Sequence, residues 1–293
     1  MPKRNLLLCF DAFGTLFTPT RPIATQYGEV ARSLGLGGFT DEQVHDSFKK
    51  AYKLSAKQYP NFGKADGMNA EGWWTDIIHN TFRPLVGAEQ LHEELAPRLL
   101  YRFHSEEGYK LMPGVTSLLR GLRSRYQDHE SRTVVGVVTN SDERVPDILT
   151  SFGLKVSPLK FGTKPMGSNT PGEQHDVDFS VMSYDVGHEK PDKRIFDAAE
   201  GMLKSLPGAG DSDLNAWDKV YIGDEYEKDV VGARDAGWYA VLINRDAAGT
   251  PDDVENLDEA SPGDLLQYLE GHPAVAFSGL ERLAPWLGIH IPH

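Results

Sequence analysis

The chain has 293 residues and a net charge of −13, with hydrophobic and charged fractions of 40% and 25%. These fractions are typical of a soluble globular protein, and the acidic balance argues against nucleic acid or an anionic membrane as a partner. The single cysteine, Cys9, permits no internal disulfide, and no apolar stretch approaches the length of a membrane span. We therefore expect a cytoplasmic protein that does not insert into membranes.

The first 110 residues predict one strand followed by helices. The apolar run NLLLCF, from residue 5, predicts a buried strand that ends at Asp11. Further on, Thr40 and Gln43 have the spacing of a capping box, Asn69 is placed to cap the next helix, and GAEQLHEELAPRLLYRF predicts a fourth helix. Aromatic residues such as Trp73 recur there at helical spacing, which favours a place in a core over one in a substrate pocket.

From residue 111 onward, helical patterns alternate with the strand-like runs TVVGVVT, DFSVMSYD, KVYIG and YAVLIN. This alternation predicts a doubly wound parallel α/β sheet. Residues 157–176, rich in Gly, Pro, Ser and Asn, predict a mobile surface loop, and the acidic tail PDDVENLDEASPGD predicts another loop. The predicted domains are an α/β core of residues 1–17 and 111–293 and a helical insertion of residues 18–110.

Residues capable of chemistry follow four of the predicted strands. They are Asp11 with Gly14 and Thr15 after the first strand, Thr139 and Asn140 at the end of the second, Lys190 after the third, and Asp224 and Asp229 after the fourth. Because the carboxyl ends of parallel strands meet at one edge of a sheet, we expect these residues in one crevice.

This set of residues suits phosphoryl transfer. The Asp11 carboxylate is a competent nucleophile toward phosphorus and forms an aspartyl-phosphate. The Thr139 hydroxyl and the amides that follow Asp11 can donate to the phosphoryl oxygens, while Lys190 neutralises their charge. Asp11 and Asp224 form an oxygen-rich pair suited to Mg²⁺. We assign substrate binding to Gly14, Thr15 and Asn140.

Four stretches of the sequence, FDAFGTL, VVTNSD, GHEKPDKRIF and GDEYEKDVVGARDAG, resemble the four motifs of the haloacid dehalogenase (HAD) superfamily, in order. The helical insertion resembles the C1-type cap of that superfamily. A nearer resemblance is to the eukaryotic haloacid dehalogenase-like hydrolase domain-containing proteins, and among them to the third member. The resemblance implies a Rossmann-like HAD core of the doubly wound parallel-sheet type and an α-helical cap.

The resemblance also implies a role for each site residue. Asp11 is then the nucleophile, Thr139 a phosphate ligand and Lys190 a charge clamp. Asp224 binds Mg²⁺ directly, together with the backbone carbonyl of Phe13. Asp229 supports the metal site or Lys190.

Phe13 departs from the phosphatase pattern. Phosphatases of the superfamily usually have a second Asp at this place, and haloacid dehalogenases have an aromatic residue but lack the acidic fourth motif. We predict a Mg²⁺-dependent phosphatase acting on a small phosphorylated metabolite, impaired or specialised by Phe13. The alternatives are a catalytically silent HAD-fold binding protein and a haloacid dehalogenase-type hydrolase. Metal dependence separates the phosphatase from the dehalogenase, and turnover separates both from the binding protein. The sequence predicts no oligomeric state.

Overall fold

The computed structural model describes residues 5–124, 131–163, 174–206, 214–246 and 249–291. The strands are β1 (Asn5–Phe10), β2 (Phe17–Pro19), β3 (Tyr109–Leu111), β4 (Thr133–Thr139), β5 (Phe179–Met182), β6 (Trp217–Gly223), β7 (Tyr239–Ile243), β8 (Glu255–Asn256) and β9 (Ala274–Phe277). The α-helices are α1 (Ile23–Ser33), α2 (Asp41–Gln58), α3 (Ala70–Val86), α4 (Leu95–Arg102), α5 (Val115–Ser124), α6 (Arg144–Ser151), α7 (Ser183–Val186), α8 (Lys193–Ser205), α9 (Gly232–Asp235), α10 (Leu265–Leu269) and α11 (Leu280–Leu283). Among the described residues, no helix has the length and apolar character needed to cross a membrane.

The chain divides into two compact units, and the first contains Met1–Thr18, Leu111–Asn140 and Gly153–His293. Within the described residues its main sheet has seven strands, in the order β5-β4-β1-β6-β7-β9-β8. Every strand pair in it is parallel. From β1 the chain adds β4 and β5 on one side and β6 and β7 on the other. The direction in which strands are added therefore reverses beside β1, which is where sites of such sheets lie. The predicted doubly wound parallel α/β fold is therefore confirmed.

The central strands of this sheet are buried along almost their whole length. β1 and β4 carry apolar side chains that are inaccessible to solvent on both faces, which is typical of a parallel sheet covered by helices. A Cβ added to Gly136 would lie 2.5 Å from the Phe179 ring and 2.9 Å from the sulfur of Cys9. Cys9 is fully buried, as predicted, and burial raises the pKa of its thiol.

The sequence predicts five of the seven strands and misses β8 and β9. The prediction of a loop throughout the acidic tail is wrong at β8, which pairs with β9. β5 ends earlier than predicted because the chain turns into α7 at Ser183. β2 and β3 pair with each other at the two ends of an insertion that is predicted to hold no strand. The fourth predicted helix forms only at α4, after a short 3₁₀ turn at Ala88–Gln90. Half of the predicted 157–176 loop, residues 164–173, lies outside the described residues.

The second unit contains Pro19–Lys110 and Ser141–Phe152, with helices α1 to α4 and α6. The predicted capping box of α2 is confirmed: the Gln43 amide donates to Thr40 Oγ1 at 3.2 Å, and the Thr40 amide donates to Gln43 Oε1 at 2.8 Å. Asn69 caps α3 as predicted, since its Oδ1 accepts from the Gly72 amide at 2.8 Å. The boundaries of the predicted cap, 18–110, stay a prediction.

Aromatic side chains form much of the core of the second unit. Trp73 is 2% exposed, and its ring centroid lies 5.1 Å from that of Phe62, 4.9 Å from that of Trp74 and 5.7 Å from that of Tyr52. The predicted place of Trp73 in a core is confirmed. Tyr52, in contrast, is 42% exposed.

A buried ion pair fastens the start of α6 within the second unit. Asp142 Oδ1 accepts from Arg144 Nε at 2.7 Å, and Asp142 Oδ2 accepts from Trp74 Nε1 at 2.7 Å. The guanidinium carbon of Arg144 lies 4.5 Å from the centroid of the Trp74 ring. Burial raises the pKa of Asp142, but the Arg144 charge and these hydrogen bonds more than offset it, so the pKa lies below the ordinary value of an aspartate.

We expect Asp142→Asn to lower the free energy of unfolding by about 3 kcal/mol, because Arg144 would remain buried without its counter-charge. Since the pKa of Asp142 is lower in the folded than in the unfolded state, the pair stabilises fully at neutral pH and its contribution is lost as the pH falls below about 4. Urea denaturation at pH 7 measures the effect. Asp46→Asn, at an exposed position of α2, is the matched control. Equal losses in both variants would contradict the prediction.

Candidate active site

Three neighbouring strands end beside Asp11. β1 pairs with β4 on one side and with β6 on the other, so that Phe10 lies in register with both Val137 and Ile222. The Asp11 amide continues this ladder by donating to the Ile222 carbonyl at 2.8 Å. Thr139, the last residue of β4, is 1% exposed. The topology thus places the ends of β1, β4 and β6 at one edge of the sheet.

Lys190 joins three of the strand ends through its ammonium group. Lys190 Nζ donates to Asp11 Oδ1 at 2.6 Å, to Tyr221 Oη at 2.6 Å and to Asp229 Oδ1 at 2.7 Å. An ammonium group has three N–H donors, so all three are engaged with the protein. Burial lowers the pKa of Lys190, but the charges of Asp11 and Asp229 raise it above the ordinary value of a lysine. Lys190 is therefore a fixed positive charge in this site.

The backbone of Lys190 is held by Asn140. Asn140 Nδ2 donates to the Lys190 carbonyl at 3.0 Å, and the Lys190 amide donates to Asn140 Oδ1 at 2.7 Å. Both polar atoms of the Asn140 side chain are thus bonded to the segment that carries Lys190. This geometry favours a positioning role for Asn140, and its predicted role in substrate binding stays a prediction.

Tyr221 is a site residue that the sequence reasoning misses. Its hydroxyl accepts from Lys190 Nζ and donates to the Val138 carbonyl at 2.6 Å. The ring is fully buried within β6 and packs against Phe196, with 5.3 Å between the ring centroids. Tyr221 stands between Val220 and Ile222 in the predicted strand. A buried phenol requires a hydrogen-bond partner, and that requirement is the signal that could have pointed to this residue.

Three carboxylates cluster at the edge of the sheet. Oxygen atoms of Asp11, Asp224 and Asp229 lie within 4.8 Å of one another. Asp224 Oδ1 accepts from Thr15 Oγ1 at 3.2 Å, and Asp229 Oδ2 accepts from the Glu225 amide at 2.8 Å. Burial, followed by the charges of Asp11 and Asp229, raises the pKa of Asp224 to about 6. The charges of Asp11 and Asp229 therefore oppose the ionisation of Asp224, even with Lys190 paired to both of them.

Two glycines allow these carboxylates to lie so close to the backbone. A Cβ on Gly14 would lie 2.1 Å from Asp224 Oδ2, and Gly14 has a φ of 83° that L side chains rarely adopt. A Cβ on Gly223 would lie 2.2 Å from Asp229 Oδ2. Any larger residue at either position would displace a carboxylate of the cluster. This requirement gives Gly14 a structural reason independent of its predicted role in substrate binding.

The two remaining features of the loop after β1 are Phe13 and a contact from Arg245. The half-buried Phe13 ring packs edge-to-face on Phe17, with 4.7 Å between the ring centroids. Arg245, an exposed residue just after β7, donates from its guanidinium to the Gly14 carbonyl. Arg245 is not among the predicted site residues, because those follow the first four predicted strands and Arg245 follows the fifth, YAVLIN.

The structure thus brings together Asp11, Lys190, Asp224 and Asp229, with Thr15 and Asn140 bonded to members of this group. Thr139 ends the neighbouring strand. Their arrangement offers an oriented carboxylate, a fixed ammonium charge and an acidic cluster at the carboxyl edge of a parallel sheet. Sites of α/β proteins of this type lie at that edge.

Comparison with known proteins identifies the family. Residues 6–237 match the haloacid dehalogenase-like hydrolase family. The chain is 29% identical over 278 residues to the haloacid dehalogenase-like hydrolase domain-containing protein 3 of Bos taurus, which covers 92% of this chain and 96% of the relative. The resemblance noted in the sequence is therefore confirmed.

Solved structures of the same fold include two kinds of enzyme. A 2-haloacid dehalogenase from Pseudomonas syringae pv. Tomato DC3000 has a TM-score of 0.54 and 18% identity, over 97% of this chain and 98% of its own. A HAD phosphatase from Thermococcus onnurineus has a TM-score of 0.50 and 20% identity, over 98% and 99%. The fold is therefore compatible with either reaction and does not choose between them. Since the family match spans most of its length, the chain belongs to the haloacid dehalogenase-like hydrolases.

Proposed function

We propose that this hydrolase is a Mg²⁺-dependent phosphatase that acts on small phosphorylated molecules through an aspartyl-phosphate on Asp11. The observation that carries the proposal is the cluster of Asp11, Asp224 and Asp229 beside the Lys190 ammonium. A carboxylate beside further carboxylates suits a phosphoryl group that arrives with a cation. The same cluster would repel the carboxylate of a 2-haloacid, which argues against the dehalogenase alternative.

The donor set fits Mg²⁺, since one oxygen from each of the three carboxylates lies within 4.8 Å of the others, and carboxylate oxygens are ligands that Mg²⁺ prefers. Asp11 and Asp224 would hold the ion directly, with the Phe13 carbonyl as a further ligand. Both oxygens of Asp229 already accept hydrogen bonds, from Lys190 and from the Glu225 amide, so Asp229 would support the site without direct ligation. When bound, Mg²⁺ supplies charge neutralisation to the phosphoryl oxygens.

The residues of the chain divide the chemical work. An Asp11 oxygen attacks phosphorus, and the bond from phosphorus to the leaving group breaks. Lys190 orients Asp11 through its 2.6 Å hydrogen bond and adds a positive charge to the site. In this proposal the Thr139 hydroxyl and the Thr15 amide donate hydrogen bonds to the phosphoryl oxygens. The Gly14 amide already donates to the Phe17 carbonyl at 2.8 Å, so Gly14 shapes the loop around the substrate. Water then cleaves the aspartyl-phosphate, and this step proceeds without an acidic side chain at position 13.

We expect Asp224→Asn to lose Mg²⁺ binding, because the substitution removes one of two directly ligating charges while preserving the shape of the side chain. Isothermal titration calorimetry with MgCl₂ measures the loss, which we expect to exceed about tenfold in affinity. Glu259→Gln, which removes one exposed carboxylate from the same unit, is the matched control and should bind as the wild type does. Equal Mg²⁺ affinities in wild type, Asp224→Asn and Glu259→Gln would contradict the assignment of Asp224 as a metal ligand.

A substrate panel tests the proposed function directly. Alkyl, aryl and acyl phosphates and 2-haloacids are each incubated with the protein, with Mg²⁺ and with EDTA. We expect phosphate release that requires Mg²⁺ and no release of halide. Halide release that resists EDTA would support the dehalogenase alternative, and binding of phosphate compounds without turnover would support the silent binding protein.

The cytoplasmic location stays a prediction.

A further inference from the structure

We propose that Arg245 binds a second anionic group of the substrate, so that the site selects phosphate compounds carrying a further carboxylate or phosphate near the transferred phosphoryl group. The inference rests on the proposed phosphatase function and adds to it the class of substrate. Nothing in the sequence motifs points to Arg245, which lies outside all four of them.

Arg245 lies at the edge of the sheet that carries the acidic cluster. It follows β7, which lies parallel to β6 in the sheet, so its backbone leaves the sheet at the same edge as Asp224. Its guanidinium donates to the carbonyl of Gly14. Gly14 in turn lies against the Asp224 carboxylate. Arg245 is thus a cation beside the acidic cluster.

Lys190 is the other cation that an anionic substrate meets at this site. Lys190 is 4% exposed and its three N–H donors are all taken by Asp11, Tyr221 and Asp229. It supplies charge to the site but has no further donor for a substrate oxygen while these bonds persist. A substrate with two anionic groups therefore needs a second, accessible cation.

The guanidinium of Arg245 provides accessible N–H donors for an anion. Its side chain is exposed, and a guanidinium carries five N–H donors in a planar fork that matches a carboxylate or phosphate. One donor is directed to the Gly14 carbonyl. The same side chain can therefore hold the loop that follows Asp11 and receive an anion, which couples recognition of the anion to the position of the nucleophile.

A purely structural role is the competing explanation, in which Arg245 only fastens the Gly14 loop. The two roles differ in what they predict for different ligands. Loss of a loop fastener weakens binding of every phosphate compound by the same factor. Loss of an anion receptor weakens only those compounds that carry a second anionic group.

The experiment measures binding of inert phosphonates by calorimetry at a fixed concentration of free Mg²⁺. The ligands are ethylphosphonate, which has one anionic group, phosphonoacetate, which adds a carboxylate, and methylenediphosphonate, which adds a second phosphonate. We expect one of the two larger anions to bind wild type about tenfold more tightly than ethylphosphonate, consistent with one charge-assisted pair. Which of them binds more tightly identifies the second group as carboxylate or phosphate.

The variants are Arg245→Gln and Arg245→Lys, with Arg234→Gln as the control, because Arg234 is a surface arginine of the same unit paired with Asp253. We expect Arg245→Gln to erase the preference, so that the three phosphonates bind with similar affinities, and the circular dichroism spectrum of the variant reports that it is folded. Arg245→Lys should keep part of the preference, and the control should keep all of it.

Two results overturn the inference: a preference that survives in Arg245→Gln, or an equal loss for all three ligands in that variant. Wild type that binds ethylphosphonate without any preference refutes the inference and leaves the proposed function intact. Wild type that binds none of the phosphonates refutes the proposed function and the inference together.

Discussion

Asp11→Asn is expected to reduce phosphate release from every substrate by about 10⁴-fold or more, the scale seen when a catalytic nucleophile is removed. The amide has the shape of the carboxylate but no nucleophilic oxygen of comparable strength. It also removes the negative charge that faces Lys190 Nζ at 2.6 Å. Steady-state phosphate release, followed with the best substrate of the panel in the presence of Mg²⁺, measures the loss.

The control for Asp11→Asn is Asp252→Asn, which makes the same chemical change at an exposed position of the same unit. It should retain wild-type activity, and both variants should keep the circular dichroism spectrum of the wild type. A folded Asp11→Asn protein that keeps more than a tenth of the wild-type rate would show that Asp11 is not the nucleophile.

Phe13→Asp is expected to raise the hydrolysis of alkyl phosphates by about 10²–10⁴-fold, the usual contribution of a positioned general acid or base. With phenylalanine at this position, Asp11 can still attack phosphorus, since Lys190 and the acidic cluster lie elsewhere. The leaving group then receives no proton from residue 13, and water receives no help in cleaving the aspartyl-phosphate. Acyl phosphates should gain less, because their leaving groups depart without a proton. Initial rates on alkyl, aryl and acyl phosphates measure the pattern.

Phe13→Asn is the matched control, because it also removes the ring that packs 4.7 Å from Phe17 but adds no titratable group. A gain seen only with Asp assigns the effect to proton transfer, whereas equal gains with Asn and Asp would assign it to the lost ring. Folded Phe13→Asp without any gain, in an active enzyme, would place the acid on another side chain. The same result with an inactive wild type would favour the silent binding protein.

The predicted part of the fold is the part with long, regular patterns. β1 and β4 are largely apolar runs of six and seven residues, and both are predicted, while β6 is predicted over its last five residues, KVYIG. β9 has only four residues, AVAF, directly after His272 and Pro273, and is missed. A run of that length has no measurable period, and it becomes a strand because β7 offers a free edge for pairing.

Some residues of the site can be identified from the sequence pattern, and others cannot. Asp11 and Asp224 are identifiable because each stands directly after an apolar strand, and parallel strands bring such ends to one edge. Arg245 follows the end of β7 by two residues, and an exposed arginine near the end of a strand is common on protein surfaces. Its place beside Gly14 depends on the neighbouring position of β6 and β7, which the sequence pattern leaves open.

The sequence alone determined the type of fold and the caps of α2 and α3, because these are encoded within a few consecutive residues. It also predicts the residues suited to nucleophile, charge and metal. Only the tertiary structure decided how Lys190 is used. Its partners Asp11 and Tyr221 are 179 and 31 residues away, and both bonds exist because the ends of separate strands meet in one sheet. Local sequence specifies which groups are available, whereas burial forces each buried polar group to find a partner, and that partner is set by packing.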